Sequence, residues 1–166
     1  MDRRPRLGNA VLLATSVLAA LGLAACGGSS GSKPAQIAFE SDRGGGFDIY
    51  VMHPDGSGVK PLTKTTPEEK LRTLSERGAF FPRWSPDGSR LGFEVAAPEQ
   101  VFGDIAVARA DGGGKARLLT PARHDDAFPS WSPGGGRIAV ASQRDATPQI
   151  YVMRADGTGQ KPLTAD

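Results

Sequence analysis

An internal repeat constrains the fold of this chain more than any other feature. The segment Ile49–Thr63 recurs 101 residues later as Ile150–Thr164, with eleven of fifteen positions identical and no gap. A weaker copy, Ile105–Gly112, lies between them and continues to Leu119 and Thr120. Self-similarity at a period of about 20–50 residues is typical of proteins in which small units stack on copies of themselves. The chain is therefore expected to form a row of similar units.

A second element recurs in the same units. Phe81–Phe93, which begins Phe-Pro-x-Trp-Ser-Pro, aligns with Phe128–Val140, and the two tryptophans, Trp84 and Trp131, are 47 residues apart. Ile37–Phe39 is the tail of a first copy that has no tryptophan segment. Because both tryptophans fall at the repeat position, we interpret them as core residues rather than as a stacking platform for a ligand.

Each unit predicts four short strands. Phe-Pro-x-Trp is the first, an Ile-Ala-Phe-like segment the second, Ile-Tyr-Val-Met the third and Pro-Leu-Thr the fourth. Ser-Pro-Asp-Gly joins the first two and Asp-Gly the last two, and Asp-Gly supplies the positive φ that tight hairpins require. The third strand is apolar on both faces, with Ile49 and Val51 on one side and Tyr50 and Met52 on the other. Such a sheet needs a neighbour above and below, as in a propeller blade.

The sequence therefore predicts an all-β fold, namely a partial β-propeller of about three four-stranded antiparallel blades, the first of them incomplete. The repeat region is 36–166, and the blades are expected at about 36–63, 80–120 and 127–164. Three blades are fewer than the four to eight or so that closed propellers use.

An insertion at 64–79 interrupts the period. Thr66–Glu69 matches a capping box with Pro67 at the first helical position, which predicts a helix over Pro67–Arg77 that stops at Gly78. The insertion is either a solvated connection between blades or a lid or partner-binding element, because long insertions on a rigid scaffold often carry function.

The repeated motifs are Trp-Ser-Pro-Asp-Gly-x-x-Leu/Ile-x-Phe, Ser-x-Arg, Ile-Tyr-Val-Met-x-x-Asp-Gly-x-Gly and Leu-Thr, and together they resemble the WD-repeat-like TolB-type β-propeller repeat. The match covers Ile37–Thr164, and the resemblance implies a six-bladed ring. The second unit has Val95–Ala97 in place of Ser-x-Arg, and the third has Gly134 in place of Asp87. The N-terminal α/β domain of TolB has no counterpart here, so its role in envelope integrity is not carried over.

Three explanations of the blade number remain open. Two chains could pair as three plus three blades, a different propeller protein could complete the ring, or the chain could be a truncated remnant of a longer propeller protein. The chain stops at Leu163 and Thr164, where the next Phe-Pro-x-Trp segment is due, and this slightly favours truncation. Symmetric pairing is a common solution in general.

The N-terminus is typical of an export signal. Basic Met1–Asn9 precedes the apolar run Ala10–Ala25, whose 16 residues are fewer than the 20 or so that a membrane span needs, so 1–25 predicts a signal helix. Leu23–Cys26 resembles a bacterial lipobox. The resemblance implies diacylglycerol attachment at the Cys26 thiol, cleavage before it and acylation of the new amino terminus, for example with palmitate. The alternatives are an ordinary secretory signal with a stray cysteine, or an uncleaved anchor.

The predicted location of the protein is the cell envelope. Residues 26–35 are expected to form a lipidated Gly/Ser tether, and two or more acyl chains give stable anchoring to a membrane. We expect the chain to be exported and lipid-anchored on the periplasmic or extracytoplasmic side. No segment distinguishes an inner from an outer membrane.

Charge and cysteine content exclude several classes of protein. The net charge is +2, and outside the first 25 residues the chain carries 17 basic and 17 acidic residues. A basic nucleic-acid-binding protein is therefore disfavoured. A single cysteine permits neither an intrachain disulfide nor a cysteine-based zinc site.

Candidate chemistry is sparse. His124, Asp125 and Asp126 lie before the third tryptophan strand and form a candidate ligand loop, although adjacent residues rarely converge on one ion. The aspartates of the repeated turns do not match the calcium-loop pattern. Gly27–Gly31 matches G-x-S-x-G but lacks the flanking strand and helix of a nucleophile elbow. We assign no catalytic residue, metal or cofactor.

Two functions from different classes remain. The first is an envelope lipoprotein whose blades form a non-catalytic scaffold for proteins or glycans, because propeller loops vary on a rigid frame. The second is an accessory propeller of a serine-peptidase-type or other envelope enzyme, since similar propellers occur beside peptidase domains. A remnant without activity is a third. The expected partners are the membrane, through the anchor, and an envelope protein or a second copy of the chain.

Overall fold

The structure, a computed structural model, describes residues 35–63, 78–96, 103–120, 125–145 and 147–164. These residues form eleven β-strands and no helix. In the described part of the chain, no helix is long and apolar enough to cross a membrane. The predicted signal helix, the lipidation site Cys26 and the predicted helix over 67–77 lie outside the described residues.

The strands form three antiparallel sheets, each ordered as in the chain. Sheet one contains β1 (Ile37–Ser41), β2 (Asp48–Met52) and β3 (Lys60–Pro61). Sheet two contains β4 (Gly78–Trp84), β5 (Arg90–Ala96), β6 (Asp104–Arg109) and β7 (Arg117–Leu118). Sheet three contains β8 (Asp126–Trp131), β9 (Arg137–Ser142), β10 (Gln149–Arg154) and β11 (Lys161–Pro162). The predicted all-β fold with an incomplete first blade is confirmed.

Strand β4 begins earlier than the 64–79 insertion predicts. Gly78 pairs with Ala96 and Ala79 with Val95, and the Ala79 N–H donates to the Phe47 carbonyl at 2.8 Å. These bonds satisfy backbone groups that a helix end at Gly78 would have left to water, so the strand takes over the last two residues of the insertion. Likewise, β8 begins at Asp126, one residue before the predicted blade.

The Asp-Gly turns form as predicted. Gly56, Gly112 and Gly157 have φ values of 83°, 77° and 82°. In each turn the preceding aspartate accepts a backbone N–H from two residues further along the chain, at 2.8–2.9 Å, as in the bond from Ser57 to Asp55. The repeated turn aspartates therefore serve the turns themselves.

The Ser-Pro-Asp-Gly turn uses a denser set of bonds. The Ser85 hydroxyl donates to Asp87 Oδ1 at 2.5 Å and accepts the Arg90 N–H at 2.9 Å, while the Ser89 hydroxyl donates to Asp87 Oδ2 at 2.7 Å. The bonds from Ser85 and Ser89 lower the pKa of Asp87 to about 2. Gly134 replaces this aspartate in the third unit, so that turn has no such carboxylate.

The sheets stack face to face, so each has a forward face toward the next sheet and a back face toward the previous one. The forward faces carry Ala38, Glu40, Ile49 and Val51 in sheet one, Gly92, Glu94, Ile105 and Val107 in sheet two, and Ala139, Ala141, Ile150 and Val152 in sheet three. The back faces carry Ile37, Phe39, Tyr50 and Met52 in sheet one, Leu91, Phe93, Ala106 and Ala108 in sheet two, and Ile138, Val140, Tyr151 and Met153 in sheet three.

Each junction has its own apolar core. At the first junction, Ile49 and Val51 are completely buried against Leu91 and Phe93 of sheet two. At the second, Ile105 and Val107 pack on the back face of sheet three, together with Leu119. The prediction of sheets covered on both sides is met in sheet two.

The tryptophans contribute to these cores from the strand ends. Trp84 is half-buried against the first core and Trp131 against the second. Trp131 reaches across the junction, where its Nε1–H donates to the Arg83 carbonyl at 3.1 Å and the Arg90 guanidinium lies 4.7 Å from its ring centroid. Their role in packing agrees with the interpretation from the repeat.

The repeated Leu-Thr pair ties the fourth strand to the third. The Thr63 hydroxyl accepts the Ile49 N–H at 2.9 Å and donates to Asp48 Oδ1 at 2.8 Å. Thr120 accepts the Ile105 N–H in the same way at 2.8 Å. The threonine therefore closes each sheet where the backbone ladder ends.

Alanine substitutions at two equivalent turn glycines test the outer part of the second junction. Both Gly112→Ala and Gly157→Ala place a side chain at positive φ, which costs about 1–2 kcal/mol. The new Cβ at 112 meets nothing within 4 Å, whereas at 157 it lies 2.9 Å from the Leu119 carbonyl of sheet two. We expect Gly157→Ala to lower the free energy of unfolding in urea by about 1–3 kcal/mol more than Gly112→Ala does. Equal effects would show that this contact is loose.

Candidate functional site

Two glutamates, each in the second strand of its unit, join consecutive sheets. Glu40 of sheet one accepts the backbone N–H of Phe81 at Oε2, at 2.9 Å. Glu94 occupies the equivalent position in sheet two and accepts the backbone N–H of Phe128 in sheet three. Each carboxylate thus holds the first strand of the next sheet.

The two phenylalanines that donate these bonds have an unusual backbone. Phe81 and Phe128 have φ values of 52° and 55°, in the left-handed region that costs a residue with a Cβ about 1–2 kcal/mol. Each lies where its strand breaks register with the neighbouring strand, between Phe80 and Arg83 and between Ala127 and Ser130. The two rings are in contact, with centroids 5.1 Å apart. A bulge at this place turns the N–H out of its own sheet and toward the glutamate.

Glu94 is the more deeply buried of the two glutamates. It is only 1% exposed, and its Oε2 atom has no hydrogen-bond partner among the described residues. Burial, together with the negative charge of Glu40, raises the pKa of Glu94 from its usual value near 4.5 to about 7, and the bond from Phe128 opposes this rise. Glu94 therefore takes up or releases a proton close to neutral pH while it is enclosed between two sheets.

A second cluster surrounds Arg144 and explains the Ser-x-Arg motif. Its Nε–H donates to Ser142 at 2.7 Å, Nη1 donates to Gln160 at 2.7 Å, and Nη2 lies 3.0 Å and 3.1 Å from the two carboxylate oxygens of Asp126. The guanidinium also lies 4.2 Å from the centroid of the Tyr151 ring. One arginine thus connects the first, second and third strands of sheet three and the turn before the fourth.

The same motif operates in sheet one and is lost from sheet two. Arg43 donates to Ser41 at 3.0 Å and lies 5.0 Å from the Tyr50 ring centroid. In sheet two the arginine position is alanine, and the third-strand tyrosine position is Ala106. The arginine and the tyrosine that it covers are therefore present together or absent together.

The predicted ligand residues have different environments. Asp126 lies in β8, is completely buried and has both carboxylate oxygens engaged by Arg144. Asp125 is exposed, and its carbonyl accepts the Gln143 N–H at 2.8 Å. His124 lies outside the described residues. Among the residues described, no three His, Cys, Asp or Glu side chains are grouped as a metal site requires. A ligand role for this loop stays a prediction, with Asp125 as its accessible described member.

The connections between strands differ at the two ends of each sheet. Because the strands alternate in direction, the turns after the first and third strands lie at one end, which we call the turn end. The connections after the second and fourth strands leave the other end, which we call the variable end; they are 42–47, 97–103 and 143–148 within sheets and 62–77 and 119–125 between sheets. The turn end repeats Ser-Pro-x-Gly and Asp-Gly, whereas the connections at the variable end share little sequence beyond Ser-x-Arg and the Leu-Thr pair that follows the fourth strand. Asp125 lies at the variable end.

The junction glutamates were not identified from the sequence. The alignment of the second strands stops at Phe39 and Phe93, and one residue further lies an acidic residue in both copies, Glu40 and Glu94. An acidic residue that repeats inside a strand expected to be buried is a signal for a partner in the next unit. In the third copy the position is Ala141, which hides the pattern from a search for invariant residues.

Comparison with solved structures relates these sheets to known propellers. The chain aligns with a putative TolB from Agrobacterium tumefaciens at 25% sequence identity and a TM-score of 0.61, over 78% of this chain and 45% of that one. TolB from Acinetobacter baumannii aligns at 24% identity and a TM-score of 0.58, over 75% and 28% of the two chains. The three sheets are TolB-like propeller blades.

Other propellers share this TolB-like fold. A puromycin-hydrolyzing peptidase from Mycobacterium tuberculosis aligns at 18% identity and a TM-score of 0.55, over 82% of this chain and 23% of that one. The chain thus spans less than half the length of each of these structures. No protein-family model and no curated protein matches the sequence.

The raised pKa of Glu94 predicts how the free energy of unfolding depends on pH. Because the folded pKa lies above the unfolded one, the folded protein holds this proton more tightly, and the stability that it contributes is lost as pH rises from about 4.5 to about 7. Within this window one proton is worth up to about 1.4 kcal/mol per pH unit. We expect Glu94→Gln to flatten this part of the curve in urea unfolding and to be more stable than the wild type at pH 8. An unchanged slope would contradict a buried proton at this position.

Two arginine–aspartate pairs give a matched test of the Ser-x-Arg cluster. Arg144→Ala leaves the buried Asp126 carboxylate without its cation, and removal of one partner of a buried pair costs about 3–5 kcal/mol. Arg109→Ala breaks a pair whose side chains are 68% and 51% exposed, and we expect no measurable change. Arg144→Lys should not restore stability, because an ammonium cannot make the forked contacts. Urea unfolding of the three variants measures their free energies of unfolding. A loss of less than about 1 kcal/mol in Arg144→Ala would refute the role of the cluster.

Proposed function

We propose that this chain is an exported envelope lipoprotein, anchored through Cys26, whose TolB-like blades form a non-catalytic scaffold that binds an envelope protein or glycan at the variable end of its sheets. The N-terminal sequence supports export and lipid anchoring, and the structural similarity to TolB agrees with an envelope location.

The observation that carries the scaffold role is the contrast between the two ends. The turns at the turn end repeat nearly the same sequences, and their aspartate and serine side chains bond within the turns themselves. The connections at the variable end differ in length and sequence while they start from a fixed frame of strands. A rigid frame with divergent loops on one side is the arrangement that proteins use for binding. Asp125, exposed at this end, is the described residue that we expect nearest to a partner.

A second candidate is the accessory propeller of an envelope enzyme. The structural similarity to a puromycin-hydrolyzing peptidase supports it, although at 18% identity that similarity concerns the fold alone. In that case the variable end would contact a catalytic domain supplied by another chain rather than an envelope component.

Substitution of Cys26 tests the anchor. The wild-type chain, expressed in a bacterium, is expected in the membrane fraction with the mass of its diacylglycerol and acyl groups. Cys26→Ser removes the thiol that is alkylated, so the protein should lose the lipid mass and leave the washed membrane fraction. Fractionation and intact-mass measurement check this. A Cys26→Ser protein that keeps the same membrane fraction and mass would exclude lipidation at this residue.

Site-specific crosslinking tests the binding end. A photo-crosslinking residue placed at 125 should capture an envelope protein or glycan in living cells. The same residue at 156, an exposed aspartate position in an Asp-Gly turn, is the matched control and should capture none. Adducts of equal yield from both positions, or no adduct from 125, would count against the proposal. An adduct that contains a peptidase would favour the accessory-propeller candidate.

A further inference from the structure

The forward face of sheet three is exposed, whereas the equivalent forward faces of sheets one and two are covered by the next sheet. Ile49 and Ile105 are completely buried at the two junctions, whereas the equivalent Ile150 is 42% exposed. Leu119 is buried in the second core, and the equivalent Leu163 is 59% exposed. An apolar sheet face of this kind is a contact surface rather than an ordinary protein exterior.

The back face of sheet one matches the partner that such a surface has inside the molecule. At the second junction, Ile105 and Val107 pack on a face of sheet three that presents Tyr151 and Met153, with Arg144 over the tyrosine. Sheet one presents the same set on its back face. There Tyr50 and Met52 stand in place of Tyr151 and Met153, and Arg43 lies over Tyr50.

We infer that a second copy of this chain covers this face, with the forward face of sheet three in one copy packed on the back face of sheet one in the other. The contact would repeat the second junction, with Ile150 and Val152 in the places of Ile105 and Val107. Two such contacts, related by a two-fold axis, close a ring of six sheets, within the range of about four to eight in which propellers close.

Ala141 distinguishes a second copy from a further blade of the repeated type. At both junctions a glutamate accepts the N–H of a left-handed phenylalanine in the first strand of the next four-stranded sheet. Ala141 occupies the glutamate position in sheet three, so a further four-stranded blade would leave that N–H without its acceptor, at a cost of about 1–3 kcal/mol. Sheet one, as described, has three strands and lacks the strand that carries this phenylalanine. Its back face therefore requires no glutamate at 141.

Pro148 also favours a second copy of the chain over a further four-stranded blade. At the second junction the equivalent residue, Gly103, exchanges two backbone hydrogen bonds with Asp126 in the first strand of sheet three, at 2.8 Å and 3.0 Å. Pro148 has no N–H, so it cannot make the full exchange with a first strand. Sheet three thus lacks the glutamate and the N–H that fix a following first strand at the second junction, while the Pro148 carbonyl and the apolar contact residues are present.

The first test is the oligomeric state of the full chain, purified in detergent and measured by native mass spectrometry. We expect a dimer. Ile150→Asp places a charge in the contact and should give a monomer. Leu118→Asp is the matched control, because Leu118 is 39% exposed on the fourth strand of sheet two, which belongs to neither of the two faces, and it should remain dimeric. Circular dichroism of each variant checks that its β-sheet content is unchanged. A monomeric wild-type chain, or a dimer unaffected by Ile150→Asp, would overturn the inference.

A second test identifies which faces meet. Met52→Asp changes the back face of sheet one and should also give a monomer. A mixture of Ile150→Asp and Met52→Asp keeps one unaltered contact, so it should form mixed dimers that neither variant forms alone. Failure of the mixture to associate would exclude contact between these two faces.

A third test separates a second copy from a further blade. Ala141→Glu would bury an unpaired carboxylate against sheet one, and we expect it to weaken the dimer at least tenfold. If Ala141→Glu instead tightens association, the face meets a strand that donates an N–H to the new carboxylate, and the inference fails.

Discussion

The structure depends on the packing of sheets that are apolar on both faces. A third strand such as Ile49–Met52 alternates large apolar side chains on its two sides, so one sheet alone would leave half of them in water. Burial of each such side chain contributes about 1.5–3 kcal/mol, and this gain is available only when another sheet lies against it. Stacking therefore follows from the strand composition, and the junction is the unit of stability. Strand pairing within a sheet creates the surface, but the neighbouring sheet determines whether that surface stabilises the protein.

Polar groups make the stacking specific. Apolar faces of similar area could slide past one another, whereas the bond from Glu40 to Phe81 fixes the register of consecutive sheets. The left-handed phenylalanine and the buried glutamate are each unfavourable alone, and together they satisfy one hydrogen bond across the junction. At the second junction this arrangement gives Glu94 a pKa near neutrality, so the stability of the contact between sheets two and three depends on pH in that range.

The sequence predicts the fold well because the repeat reports the same physical requirement three times. Eleven identities between Ile49–Thr63 and Ile150–Thr164 identify the strands, and the Asp-Gly turns identify where they reverse. What the sequence does not show is the pairing across junctions. Glu40 and Glu94 are separated in the chain from the N–H groups that they accept, and their common role emerges only when the bulges at Phe81 and Phe128 are seen. Asp126 illustrates the converse. The sequence places it in a candidate ligand loop beside His124, and the structure shows its carboxylate bound by Arg144, 18 residues away.

Departures from the repeat carry more functional information than the repeat itself. Sheet two lacks the arginine of Ser-x-Arg together with the tyrosine that it covers, and both of its faces pack against neighbouring sheets. Sheet three keeps its arginine and tyrosine but has an alanine in place of the junction glutamate. Ile150, Val152 and Leu163 are the same residue types that pack at the other junctions, so this face can pack on another sheet, but Ala141 cannot accept an N–H from a left-handed phenylalanine. We infer a second copy of the chain as the partner because this combination suits a neighbouring sheet that has no such phenylalanine to bind.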